Sequence, residues 1–239
     1  MDLSVLADPE AVGEHAASIV VAALAAKPAL VLGVATGATP LSVYRCLARA
    51  RRSGTDFSRL SVVALDEYIG LPAGHPASFA AYVRREVAGP LGVPAERLVV
   101  PEGRGERLEE QIRAAGGVDL QLLGIGRNGH LAFNEPGSPL DSRTRVVSLS
   151  QTTRSDNARS FGSEAVPTHA VTQGLGTILD ARHLVLLATG SAKAAAVLAA
   201  LTGPVTPDCP ASVVQMHARV TVLVDEAAAA VDRGGAVGR

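Results

Sequence analysis

The sequence predicts an α/β protein built on an open, mostly parallel sheet, with helices on both faces and a small helical cap. Three observations predict it. Short runs rich in Val and Leu alternate with helix-compatible stretches along most of the chain, as in sheets whose strands are joined by right-handed crossovers. Within those runs the apolar residues are mostly consecutive, as expected of strands covered on both faces. The composition is 47% hydrophobic but holds only three Tyr, four Phe and no Trp, so Ala, Val and Leu must fill the core. A chain of 239 residues buries roughly 70% of its unfolded surface and needs no disulfide or metal to hold it together.

Taken in order, a first strand is expected over residues 30–35, an apolar run that follows Pro28. A helix over 40–52 comes next; Pro40 suits its start, because the ring presets φ and the missing N–H has no helical partner there. Strands are expected at 60–66 and 97–100 with a helix over 77–87 between them, and a helix over 106–115 leads into a strand at 119–125. Further strands are expected at 145–149, 183–189 and 220–225, and helices over 191–201 and 226–233. Residues 151–180 interrupt the alternation with polar, helix-compatible sequence, the composition of a small cap or lid beside the sheet. With no internal repeat, low-complexity tail or long linker, residues 1–239 are expected to form one domain.

Charge and composition exclude other classes. The 22 Lys+Arg against 23 Asp+Glu give no basic excess for nucleic acid or a membrane surface. The longest apolar run, near 16–26, is too short to span a bilayer and stops at Lys27 and Pro28. The N-terminus lacks the basic start of a signal peptide, and the two cysteines, Cys46 and Cys209, fit a reducing cytoplasm better than a disulfide scaffold. Neither metal-ligand spacing, nor a CxxC pair, nor a GxSxG elbow is present. The expected partner is therefore a small molecule, with no metal and no cofactor, for a monomer or small homo-oligomer.

In open α/β sheets ligands gather at the carboxyl ends of the strands, and four strand ends carry unusual residues. Thr36-Gly37-Ala38-Thr39-Pro40 joins a strand to a helix with small residues and hydroxyls, so the N–H groups of the helix start can face an anion. It matches neither the Walker sequence nor the dinucleotide fingerprint. Asp66-Glu67 places two acids after an apolar run, suited to a base or sugar-hydroxyl ligand or equally to a helix cap. The segment 124–137 presents Asn128, His130 and Glu135 among Gly124, Gly126 and Gly129. Its histidine can exchange protons near neutral pH and its carboxylate can tune that histidine. Finally Lys193 lies in the first turn of a helix, where the dipole disfavours a cation; an anionic ligand would account for it.

These segments together resemble the glucosamine-6-phosphate deaminase (isomerase) family. The resemblance rests on Thr36-Gly37-Ala38-Thr39-Pro40, on Leu65-Asp66-Glu67-Tyr68-Ile69-Gly70-Leu71 with His75-Pro76-Ala77-Ser78-Phe79, and on Gly124 through Gly137, with its run His130-Leu131-Ala132-Phe133-Asn134-Glu135-Pro136. It continues through Ser142-Arg143-Thr144-Arg145, Ala158-Arg159-Ser160-Phe161, Gly190-Ser191-Ala192-Lys193 and Pro210-Ala211-Ser212, nearly the whole chain in order. It implies a Rossmann-like fold and conversion of glucosamine 6-phosphate and water to fructose 6-phosphate and ammonia. By resemblance Asp66 is the acid that moves a proton between C1 and C2. His130 assists ring opening, with Glu135 as its carboxylate partner and Asn128 as a hydrogen-bonding neighbour. Thr36, Gly37, Ala38, Thr39, Arg159 and Lys193 hold the phosphate. Arg159 comes from the resemblance alone.

Three departures from the family pattern matter. Asn128 stands where some members have Asp; it can bond the ring but cannot raise its pKa by charge, so the His130 pKa is expected to depend mainly on Glu135. Val147 replaces a basic residue of the regulated hexameric members, and the Trp-containing lid sequence of longer members is lacking, so the chain resembles the short, unregulated form. Other readings stay open: a 6-phosphogluconolactonase, which shares the Gly-His turn but has no need of the acid pair; a deaminase for galactosamine 6-phosphate; and a catalytically idle sensor.

Overall fold

The computed structural model describes residues 1–103, 105 and 107–230. In chain order its elements are β1 (Asp2–Leu6), α1 (Pro9–Ala26), β2 (Val31–Val34), α2 (Leu41–Arg52), β3 (Ser61–Ala64), β4 (Asp66–Tyr68), α3 (Phe79–Val83), the short α4 (Gly89–Leu91), β5 (Leu98–Val99), α5 (Leu108–Ala114), β6 (Leu120–Gly124), β7 (Arg145–Ser148), α6 (Gln151–Asn157), β8 (His169–Thr172), α7 (Leu175–Leu179), β9 (Leu184–Ala188), α8 (Ala194–Thr202), β10 (Val220–Asp225) and α9 (Glu226–Ala229).

Seven strands form a sheet in the order β1-β10-β9-β6-β2-β3-β5, and every pairing within it is parallel. Both faces are covered, as the consecutive apolar runs require. In β9, Val185 and Leu187 point into one core with α1 and α2, while Leu184 and Leu186 point into the other with α7 and α8; the side-chain period of two divides the run between the faces. The strand order reverses between β2 and β6, the switch point where an open sheet leaves a crevice at its carboxyl edge. No helix of the described residues is long and apolar enough to cross a membrane, and Cys46 and Cys209 are free thiols.

A second, three-stranded sheet in the order β4-β8-β7 is antiparallel. It corrects the expectation in three places. The run 60–66 splits at Leu65, so Asp66 begins a strand of the small sheet instead of ending one of the large sheet. The strand expected at 145–149 is β7, half-exposed and outside the parallel sheet. Within 151–180 only α6, the 3-10 turn Ala158–Ser160 and α7 are helical; residues 169–172 are strand β8, with Ala170, Val171 and Thr172 buried.

The edge strand β1 and helix α1 were not among the expected elements. Asp8 caps α1 through its side chain, accepting from the Ala11 N–H at 2.8 Å, with Pro9 in the first turn. The helix expected over 77–87 is α3 followed by a π-type turn, Arg84–Ala88. The helix expected over 191–201 begins as a 3-10 turn, Ser191–Lys193, before α8. Glu106, the start of the helix expected over 106–115, and residues 231–233 at the end of that over 226–233 lie outside the described residues.

Candidate active site

The carboxyl ends of β2, β3, β6 and β9 open onto a cavity of about 750 Å³. Thr36, Gly37, Ala38, Thr39, Asp66, His130 and Lys193 all line it, so four segments far apart in sequence converge as the sheet topology demands.

The loop between β2 and α2 forms one wall of the cavity. Gly37 takes φ +99°, a conformation open to glycine with little strain. Two tyrosines hold the loop's carbonyls: the Tyr44 hydroxyl donates to Ala35 O and the Tyr82 hydroxyl to Gly37 O, each at 2.6 Å. With those acceptors occupied, the loop faces the cavity at the electropositive end of the twelve-residue α2.

The two adjacent acids divide their work, because successive strand residues point to opposite sides. Glu67 accepts from the Phe79 N–H at 3.0 Å and the Ala80 N–H at 2.7 Å, neutralising the first turn of α3. Asp66 faces the cavity, only 5% exposed. Burial, reinforced by the charge of Glu67, pushes its pKa well above the usual carboxylate range, which makes its ionised form a stronger base.

Segment 124–137 folds back on itself to present His130. The ring lies over Gly126, where any Cβ would overlap it. Asn128 Oδ1 accepts from the His130 Nδ1 side at 2.6 Å and from the His130 N–H at 3.3 Å. An amide oxygen only accepts, so the ring proton sits on Nδ1 and Nε2 keeps its lone pair. Ala132 is held at φ +51°, a costly conformation for a residue with a Cβ. Asn134 keeps it there: fully buried, it donates from Nδ2 to Leu131 O and Gln173 O and accepts from Arg145.

Glu135 is not the direct partner of His130. It accepts from the Thr153 hydroxyl at 2.5 Å and the Ser150 N–H at 3.3 Å, joining this turn to α6, and lines a shallower cavity of about 310 Å³ beside Arg145. The His130 pKa is lowered from its ordinary value by burial and then by the charge of Lys193, with Glu135 and Asp156 opposing. The expected dominance of Glu135 is therefore overturned: desolvation decides the direction. Lys193 is likewise lowered by burial and by Arg127, with Asp156 opposing.

Arg159 does not join the cavity lining. It stands exposed on the 3-10 turn after α6, while its neighbours Asn157 and Ser160 line the wall. The structure also brings in residues not foreseen: Tyr82, Arg127 and Asp156 line the cavity. Buried Asp225 accepts from the Gly190 N–H at 3.0 and 2.9 Å, fixing the turn that carries Lys193. Of these only Arg127 carried a local signal, its place within the glycine-rich turn. Among the described residues no group of three or more His, Cys, Asp or Glu side chains is gathered for a metal ion.

Over residues 7–223 the sequence matches the family profile described as glucosamine-6-phosphate isomerases/6-phosphogluconolactonase. The chain belongs to that family. Within this isomerase/lactonase family it is 51% identical over 239 residues to the glucosamine-6-phosphate deaminase of Streptomyces avermitilis, covering 96% of this chain and 92% of that one. It is also 51% identical over 237 residues to that of Pseudarthrobacter chlorophenolicus, with the same coverage. The fold superposes on a monomeric glucosamine-6-phosphate deaminase with TM-score 0.91 and 39% identity, covering 96% of this chain and 99% of that chain. A 6-phosphogluconolactonase from Trypanosoma cruzi shares the fold at TM-score 0.73 and 22% identity, covering 95% of each chain. The relatives at 51% identity are thus named deaminases, and the likeness to the lactonase, at 22% identity, is one of fold.

Proposed function

We propose that this enzyme converts glucosamine 6-phosphate and water to fructose 6-phosphate and ammonia. The observation that carries the reading is a buried, cavity-facing carboxylate, Asp66, in one cavity with a neutral-tautomer histidine and an anion-facing helix start. The relatives' names support it. Phosphate bound by the 36–39 loop and Lys193 fixes the remote end of the sugar and orients the reacting carbons.

His130 Nε2 moves a proton between the anomeric hydroxyl and the ring oxygen, opening the pyranose. Its lowered pKa keeps the lone pair available at neutral pH. Asp66 then takes the C2 proton, giving an enolamine, and returns it to C1. The resulting C2 imine adds water and expels ammonia, leaving the ketose. One carboxylate suffices for both carbons because they present the same face. Asn128 sets the tautomer, and Glu135 holds the turn against α6 and adds its charge. Arg159, exposed on the 158–160 turn beside cavity-lining Asn157 and Ser160, reaches the phosphate by a swing of its side chain or of that turn, within the 151–180 segment that serves as the cap. The protein works in the cytoplasm as a monomer or small homo-oligomer.

Incubation with glucosamine 6-phosphate tests the reading: stoichiometric ammonia and fructose 6-phosphate are expected. Hydrolysis of 6-phosphogluconolactone without ammonia release from the amino sugar would overturn it. Galactosamine 6-phosphate, run in parallel, tests the C4 preference.

A further inference from the structure

Arg127 and Asp156 both line the cavity, Arg127 in the turn after β6 and Asp156 on α6, and the chemistry above uses neither. The guanidinium meets the carboxylate through Nη2 alone, at 2.8 Å to Oδ1 and 3.0 Å to Oδ2. That end-on contact lacks the two-nitrogen fork that makes arginine–carboxylate pairs strong. Both side chains are open to water, 60% and 49% exposed, and exposed ion pairs are weak. Asp156 can turn outward into water with little loss.

The pair also stands beside Lys193. The positive charge of Arg127 and the negative charge of Asp156 act on the lysine in opposite directions, and Lys193 and Asp156 act in the same opposed way on His130. Two cations and one carboxylate therefore share one part of the cavity, beside His130. Two cations match a phosphate dianion; two cations with a carboxylate among them do not.

We propose that Arg127 is a phosphate-binding residue of this enzyme, held by Asp156 in the free protein and exchanged onto the phosphate of the sugar as it enters. This rests on the sugar-phosphate reading above. Asp156 is then a competitor that keeps Arg127 oriented over the cavity and yields to a dianion, whose oxygens can occupy the Nε and Nη2 edge as a fork. Arg127 supplies the second cation beside Lys193 without any movement of the 158–160 turn.

Calorimetric titration with fructose 6-phosphate and, separately, inorganic phosphate tests this on the wild type, Arg127→Met, Asp156→Asn and the double variant. Arg127→Met should weaken both ligands about tenfold, the loss of one charge-assisted contact, and Arg127→Lys should restore part of it. Asp156→Asn should tighten both about threefold, as removal of a weak exposed competitor predicts, a gain that a merely structural residue would not produce. In the Arg127→Met background Asp156→Asn should change little. The proposal is overturned if Asp156→Asn weakens binding, if it tightens binding equally without Arg127, or if Arg127→Met leaves both affinities unchanged. Ammonia release by the same wild-type sample reports separately on the reaction: the expected affinity pattern without ammonia would fault the substrate and leave the Arg127 site standing.

Discussion

In the seven-stranded sheet the central strands are parallel and buried on both faces, and the cores on either side are almost wholly Val, Leu and Ala. In the three-stranded sheet the pairings are antiparallel and β7 is half-exposed. Its core gathers four of the few aromatic rings: Tyr68 lies 4.8 Å from Phe79, 5.5 Å from Phe133 and 5.2 Å from Phe161 between ring centroids. The large sheet supplies rigid strand ends, and so the 36–39 loop, the 124–130 turn and Lys193. The small sheet supplies Asp66, two residues from Tyr68 on the same face of β4. The difference is a division of labour, in which aliphatic packing holds the fold and a compact aromatic cluster, whose rings have restricted geometry, backs Asp66.

Paired truncations test that division. Leu122→Ala, fully buried in the large-sheet core, should lose about 2–5 kcal/mol in stability with KM and kcat intact at a temperature where it is folded. Phe161→Ala should lose about 3–5 kcal/mol and also lower kcat, because Tyr68 and Asp66 lose their backing. Urea unfolding beside steady-state kinetics separates them; equal kinetic behaviour would remove the distinction. Gly126→Ala comes next, since its Cβ must displace the His130 ring. A loss of about a hundredfold in kcat/KM is expected, the scale of a misplaced catalytic group, with little change in the circular dichroism spectrum. Lys193→Met acts at the other end of the substrate and should raise KM about tenfold with a much smaller fall in kcat, the mark of uniform binding.

The smallest effect concerns the join between the sheets. Glu109 of α5 accepts from Arg143, from the Thr144 N–H before β7 and from the Thr177 hydroxyl of α7. Burial acts to raise its pKa, but those bonds outweigh it and bring the carboxyl down from the usual 4.5 to about 2. A lowered carboxyl contributes fully above its unfolded value and loses that contribution as pH falls through its folded one. Glu109→Gln should therefore lower the urea midpoint at neutral pH, and the gap from wild type should close between pH 4.5 and about 2. A gap independent of pH would mean that the charge contributes nothing.

The parallel strands are legible in the sequence because burial on both faces leaves consecutive apolar residues, and the site loops because Gly, Thr, Asn and His interrupt those runs at strand ends. The small sheet is not legible: β8 has four residues and pairs with β4 across about a hundred positions, information no local window contains. Helix α1 is hidden for another reason: Ala, Val and Leu surround much of it, so its helical period is faint despite the Asp8-Pro9 start. Around His130, sequence proximity suggests Asn128 and Glu135 alike; only the backbone path shows that the first bonds the ring and the second turns toward α6. Asp156 and Tyr82 reach the cavity solely through tertiary packing.

The assignment of Asp66 as the single base at both carbons carries the mechanism. Hydrogen exchange at C2 of the hexosamine phosphate in deuterated water tests it most directly, by mass spectrometry of recovered sugar and product. Wild-type protein should exchange C2 hydrogen and carry label into C1 of fructose 6-phosphate. Asp66→Asn should lose the exchange while still binding fructose 6-phosphate. Retained exchange in Asp66→Asn would contradict the account.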